Sequence, residues 1–160
     1  GNKPFPLAAW SASELAKLPT YYIMDRDRTM AETVAEVMPS PAAIAACRWL
    51  TEDELKVYSG EYSRTGFQGG LQWYRCQTGG QYAGELEVFT GRRIEAPACF
   101  IAGKSDWGIH QRPGAIAAMQ KTACSDMRFC RLVDGAGHWV QQEQPEAVCR
   151  LLIPFLQERS

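Results

Sequence analysis

Hydrophobic positions along this chain change their spacing near Gly91. Before that point the signals are helical. Ser11 with Glu14, and Thr51 with Glu54, match the Ser/Thr-x-x-Glu box in which two side chains satisfy the free amides of a helix start. Ser40-Pro41 reads as an N-cap followed by proline at the first helical position. Between Thr51 and Ser63, Leu55, Tyr58 and Tyr62 recur at helical spacing, with Glu52, Asp53 and Lys56 on other faces. The stretch Thr65-Gly66-Phe67-Gln68-Gly69-Gly70 interrupts that pattern, and Leu71-Gln72-Trp73-Tyr74-Arg75 resumes a helix. No convincing strand occurs in residues 1–90.

After Gly91 strand and helix alternate. Ile94 to Ala102 is a nearly continuous apolar run, expected to form a strand buried on both faces. It ends in the turn Gly103-Lys104-Ser105-Asp106-Trp107-Gly108. Arg112-Pro113 is expected to open a helix running through Ile116, Met119 and Gln120. Met127 to Val133 alternates as a second strand does, closed by Asp134-Gly135-Ala136-Gly137. Pro145 then starts a helix with Val148, Leu151, Leu152 and Phe155 on one apolar face. Pro154 is expected to bend that helix or loosen its last turn. The order β-α-β-α implies parallel strands joined by a crossover helix. Two such strands do not make a stable sheet alone, so the expectation is the tail of a larger parallel sheet. The fold class is therefore α/β, with a mostly helical region over 1–90 and a β-α-β-α unit over 91–160.

Composition narrows the class of function. Of 160 residues, 46% are hydrophobic and 22% charged, and the formal net charge is −1. Such a balance favours neither nucleic acid nor anionic lipid as a partner. No apolar run is long enough to span a membrane, and Gly1-Asn2-Lys3-Pro4-Phe5-Pro6 does not resemble a signal peptide. Six cysteines, at 47, 76, 99, 124, 130 and 149, form no Cys-x-x-Cys pair, and two histidines complete a poor inventory for zinc. Cys99 lies in an apolar run and Cys149 in an amphipathic one, where cysteine serves as a small hydrophobe. A reduced, cytoplasmic setting is expected.

Asp106 and His138 carry the candidate chemistry. Each follows a strand in a glycine-flanked turn, and active sites of open α/β sheets form at the carboxyl ends of strands. A carboxylate that holds a histidine in one tautomer, ready to activate water, is an acid–base pair of hydrolases. The chain order, aspartate then histidine, is that of the α/β hydrolases. Taken singly, Asp106 is also a plain turn former and His138 a plain surface histidine. Their joint placement favours the chemical reading.

The words around these residues carry a resemblance. Ala96-Pro97 and Phe100-Ile101-Ala102-Gly103-Lys104-Ser105-Asp106 resemble the strand and turn of the acid in α/β hydrolases. Gly135-Ala136-Gly137-His138-Trp139-Val140-Gln141-Gln142-Glu143-Gln144-Pro145-Glu146 is similar to their histidine loop and final helix. Leu50-Thr51-Glu52-Asp53-Glu54-Leu55, with Arg64-Thr65-Gly66-Phe67-Gln68-Gly69-Gly70-Leu71-Gln72-Trp73-Tyr74-Arg75, resembles the cap of soluble epoxide hydrolases. The resemblance implies that residues 1–90 form a cap, and that 91–160 form the last part of the hydrolase core.

The resemblance also implies roles. Tyr74 donates a hydrogen bond to the epoxide oxygen. A second cap tyrosine assists, best matched by Tyr21 in Leu18-Pro19-Thr20-Tyr21-Tyr22. The family often carries glutamine after that tyrosine, where this chain has Tyr22, so Tyr22 stays open as the alternative. An aspartate upstream of Gly1 attacks an epoxide carbon, and water activated by His138 with Asp106 cleaves the ester to a vicinal diol. Developing charge on the epoxide oxygen is what the phenols stabilise. No metal or organic cofactor is required. Trp139, Trp107, Phe67 and Tyr22 are candidate substrate-pocket residues. Lys104 and His110 are read as solvated, and Glu143 as a helix-start charge.

Neither the Gly-x-Asp/Ser-x-Gly elbow nor a His-Gly-x-Pro loop occurs here. About half of a full enzyme would then lie upstream of Gly1. The chain alone is expected to be inactive, and its strand edges to pair with that missing half or with a second copy. Other capped α/β hydrolases, acting on esters or haloalkanes, and an inactive fragment remain the alternatives.

Overall fold

The computed structural model describes residues 11–78 and 80–158. They form two compact units: Leu50–Arg92, and residues 11–49 together with 93–158. The division differs from a single break near Gly91, because residues 11–49 group with the strands rather than with the following helices. The first residues of the expected cap, 1–10, lie outside the described residues.

Among the described residues of the unit Leu50–Arg92, the helices are α4 (Glu52–Thr65), α5 (Gln68–Thr78) and α6 (Ala83–Leu86). The expected box opens α4, with the Thr51 N–H donating to Glu54 Oε2 at 2.7 Å and the Glu54 N–H donating to Thr51 Oγ1 at 3.3 Å. Gly66 ends it in a positive-φ conformation (φ 68°), which a side chain would strain. The break is shorter than expected: α5 begins at Gln68 and takes in Gly69 and Gly70. Glycine lowers helix propensity by about 1 kcal/mol but does not forbid a helix. Leu55, Tyr58 and Tyr62 share a stripe as predicted, but all three are exposed. Phe67 stacks on Tyr62 with ring centroids 4.5 Å apart.

The other unit opens with α1 (Ala12–Leu15), α2 (Met30–Glu36) and α3 (Pro41–Ala46). The expected caps at Ser11 and Ser40 are present. A further box, Thr29 with Glu32, opens α2, and Arg28 pairs with Glu36 at 2.6 Å. The chain then continues as β1 (Ala98–Gly103), a 3-10 turn (Trp107–His110), α7 (Ala115–Ala118), β2 (Met127–Val133), α8 (Val140–Glu143) and α9 (Pro145–Gln157). The crossover helix starts later than Pro113, because Gly114 sits at φ 77° immediately before it. It widens into a π turn over Met119–Ala123.

As predicted, β1 and β2 are parallel, in a register that runs from Ala98↔Met127 to Gly103↔Val133. The ladder is irregular between Ala98 and Cys99, just after Pro97, whose nitrogen cannot donate. Ile94 makes an isolated bridge to Cys124. Burial of β1 is less complete than expected: Ala102 and Gly103 are buried, residues 98–101 half-buried, and Ile94 exposed. A two-stranded sheet has too little cover for both of its faces.

The core lies at the carboxyl end of this sheet. Val133, Ala136 and Val140 are buried together, with Ile101, Ala147, Val148 and Leu151 packed around them. Helix α9 is continuous through Pro154 to Gln157, and the Glu158 N–H closes it on the Pro154 carbonyl. Three residues from the helix end, the proline removes one donor without ending the helix. Cys124 is buried, and burial pushes the Cys99 thiol up, whereas Cys149 is exposed. No described helix is long and apolar enough to cross a membrane.

Candidate active site

Two turns leave the buried end of the sheet and bring Asp106 and His138 together. After Gly103 the chain keeps bonding to its neighbour: the Lys104 N–H donates to the Val133 carbonyl (2.9 Å) and the Ser105 N–H to the Ala136 carbonyl (3.0 Å). The Asp106 N–H donates back to Gly103 (3.1 Å), and Asp106 then caps the 3-10 turn, its Oδ1 accepting from the Gly108 N–H at 2.7 Å. The same oxygen lies 3.0 Å from His138 Nδ1. The Asp106 side chain is 12% exposed and that of His138 50%. The carboxylate is thus held inside while the imidazole reaches outward.

The chemistry of this pair follows from its donors. A carboxylate only accepts, so the ring proton sits on Nδ1, and Nε2 is left with a lone pair for water. An imidazolium formed by taking a proton would be stabilised by the same carboxylate.

The histidine loop is held from several sides. Gly135 turns the chain at φ 71°, and Ala136 is 1% exposed in the core. The Gln144 side-chain amide donates to the Gly135 carbonyl at 3.2 Å. Gly103 lies against this loop so closely that a Cβ there would overlap the carbonyl oxygens of Gly137 and Ala136. Glu143 accepts the Gly137 N–H on Oε2 (2.8 Å) and the Trp139 N–H on Oε1 (3.0 Å). Reading Glu143 as a helix-start charge covers half of this, since Trp139 precedes α8. The bond to Gly137 goes beyond that reading. An acidic residue four positions after Trp139 could suggest the first contact, but no spacing rule suggests the second. The closeness of Gly103 leaves no signal beyond the glycine itself.

Aromatic rings surround the imidazole. Trp107 stacks on it at 5.4 Å and 11°, and Trp139 meets it edge-on at 5.3 Å and 75°. Tyr22 packs on Trp107 at 4.1 Å, and Tyr21 approaches the same ring edge-on at 6.4 Å. Asp106, His138, Trp107, Trp139, Tyr21 and Tyr22 therefore gather in one unit. Tyr74, on α5, and Phe67, just before it, belong to the unit Leu50–Arg92. An open cavity of about 300 Å³ adjoins the pair, walled by Phe100, Ile109, Arg112 and Ile116 besides Asp106 and His138. A larger cleft, about 430 Å³, lies by Glu14, Lys17 and His110 and does not include the pair. Among the described residues no group of His, Cys, Asp and Glu side chains is arranged to hold a metal ion.

No family model matches the chain. Relatives are nonetheless clear. The chain is 38% identical over 121 residues to epoxide hydrolase A of Mycobacterium tuberculosis, covering 74% of this chain and 35% of that protein. It is 35% identical over 108 residues to epoxide hydrolase B of the same organism, covering 68% and 30%. An epoxide hydrolase from an endophytic Streptomyces superposes with a TM-score of 0.72 at 30% identity, covering 92% of this chain and 41% of that one. The chain thus spans well under half the length of these relatives. In sequence and in structure it is a relative of the epoxide hydrolases, and its fold is that of the C-terminal portion of an α/β hydrolase.

Proposed function

We propose that this chain is the cap and C-terminal core of an enzyme that hydrolyses epoxides to vicinal diols, working in a reducing, cytoplasmic setting. The observation that carries the reading is the 3.0 Å contact of Asp106 and His138 beyond two parallel strands, in a chain whose relatives are epoxide hydrolases.

In the proposed reaction an aspartate outside these 160 residues attacks an epoxide carbon. The carbon–oxygen bond breaks, and the oxygen takes a proton from Tyr74 or from its partner phenol, Tyr21. Water then attacks the ester carbonyl as His138 Nε2 removes its proton, and Asp106 stabilises the imidazolium. The ester breaks: the departing alkoxide takes the hydroxyl proton of the tetrahedral intermediate, so the diol leaves and the aspartate is regenerated. The proton on His138 returns through solvent to the phenolate left by ring opening. Trp107, Trp139, Phe67 and Tyr22 line the substrate pocket. The residues 1–90 serve as the cap, and 91–160 complete the core. Exposed apolar side chains such as Trp73, Val88 and Phe89 suit a surface that packs against the rest of such an enzyme or a second copy.

The test is product analysis with an aryl epoxide. The complete protein should yield diol, and the 160-residue chain alone should yield none. Diol formation by the isolated chain, or its absence with the complete protein, would sink this reading.

A further inference from the structure

The carboxylate of Glu143 grips the backbone on both sides of His138, one oxygen on the Gly137 N–H and the other on the Trp139 N–H. His138 is thereby bracketed. With both neighbouring amides tied to one rigid group, the backbone at His138 is held at two points, and the direction of its side chain is set before the ring meets Asp106. We propose that Glu143 is a positioning residue that aims the His138 imidazole, a role that rests on the proposed use of His138 to activate water.

Other contacts act on other parts of the loop. Ser105 and Gln144 hold the carbonyls of Ala136 and Gly135, on the side before Gly137. Trp107 stacks on one face of the ring and Trp139 meets it edge-on, and neither contact is a hydrogen bond. Half of the imidazole is exposed, so packing alone restrains it weakly. A carboxylate is the right group because each of its oxygens accepts one amide. Glutamine keeps the shape but has one acceptor, and its NH2 would face an N–H.

The complete protein is tested as wild type, Glu143→Gln and Glu143→Asp, with melting temperature measured for each. Two readouts are taken. First, 15N spectra of histidine-labelled protein report the His138 tautomer: wild type should show a single Nδ1–H form, and Glu143→Gln a mixture. Second, single-turnover kinetics separate ring opening from ester hydrolysis. Glu143→Gln should slow hydrolysis about 10- to 100-fold, as expected for a misaimed group, with ring opening within about twofold, so the ester accumulates. Glu143→Asp keeps the charge but is shorter, and should fall between. It also serves if the glutamine variant folds poorly. Wild-type spectra and hydrolysis in both variants would overturn the proposal. So would an equal loss in both steps that tracks a lowered melting temperature. Should wild type make no diol, the proposed function fails, while the tautomer readout still decides the role of Glu143.

Discussion

Gly103, the last residue of β1, is pressed against the backbone of Gly137, so that a methyl group would collide with the Gly137 and Ala136 carbonyls. The end of one strand and the loop after the other therefore meet backbone to backbone, one residue away from His138. The obstacle is main chain, which cannot rotate aside. Gly103→Ala should destabilise the protein by about 1–3 kcal/mol, the range for overpacking a tight site. Urea unfolding would measure this, and an unchanged midpoint would contradict it.

Asp106 presents one oxygen to both Gly108 and His138. An asparagine can still offer one oxygen to both groups but carries no charge, so Asp106→Asn should spare the fold while removing the carboxylate that stabilises the imidazolium. In the proposed reaction of the complete protein, ester hydrolysis should fall about 10²- to 10⁴-fold, with ring opening much less affected. Equal slowing of both steps in single-turnover experiments would contradict the role.

In the proposed reaction the tyrosines act on the other half-reaction. Tyr74→Phe and Tyr21→Phe should each slow ring opening by about 10²-fold, the scale of losing one donor to developing oxygen charge. Ester hydrolysis should stay within a few-fold. Tyr22→Phe is the comparison, because Tyr22 packs closer to Trp107 than Tyr21 does. If the Tyr22 variant alone slows ring opening, the donor is Tyr22.

Acid should loosen the helix starts. The carboxyls of Glu14, Glu32 and Glu54 are held below the usual glutamate range, first by the backbone N–H of the N-cap residue and then by its hydroxyl. A lowered folded-state pKa gives stability that is complete above the ordinary glutamate value of about 4.3 and is lost as pH falls through the lowered value. Helical circular dichroism should therefore decline in that acid window, and replacing all three glutamates by glutamine should flatten the decline. Thr51→Ala, which removes the hydroxyl that caps α4, should cost about 1 kcal/mol at neutral pH.

Local chemistry is legible in the sequence. The boxes at Ser11 and Thr51, the cap at Ser40 and the apolar face of α9 follow from spacings of a few residues, and the parallel strands from the order of strand, helix and strand. Box and turn signals act within one helical turn, so neighbours in sequence suffice to predict them. Thr29 with Glu32 has the same spacing, and Met30, Val34 and Val37 follow it at helical spacing, so the start of α2 is equally legible. The start of α7 falls later than its signal, because Pro113 favours a helix start while Gly114 takes a left-handed turn that composition does not disclose.

By itself the sequence determined which residue types stand after which strand, and hence that an aspartate and a histidine would face each other across adjacent strand ends. Only the tertiary structure decided that Glu143 brackets His138, that Gly103 must lack a side chain, that Trp107 lies over the imidazole, and that residues 11–49 pack with the strands. Those facts depend on distances between segments far apart in the chain, and these are set by packing at the sheet end rather than by any local preference.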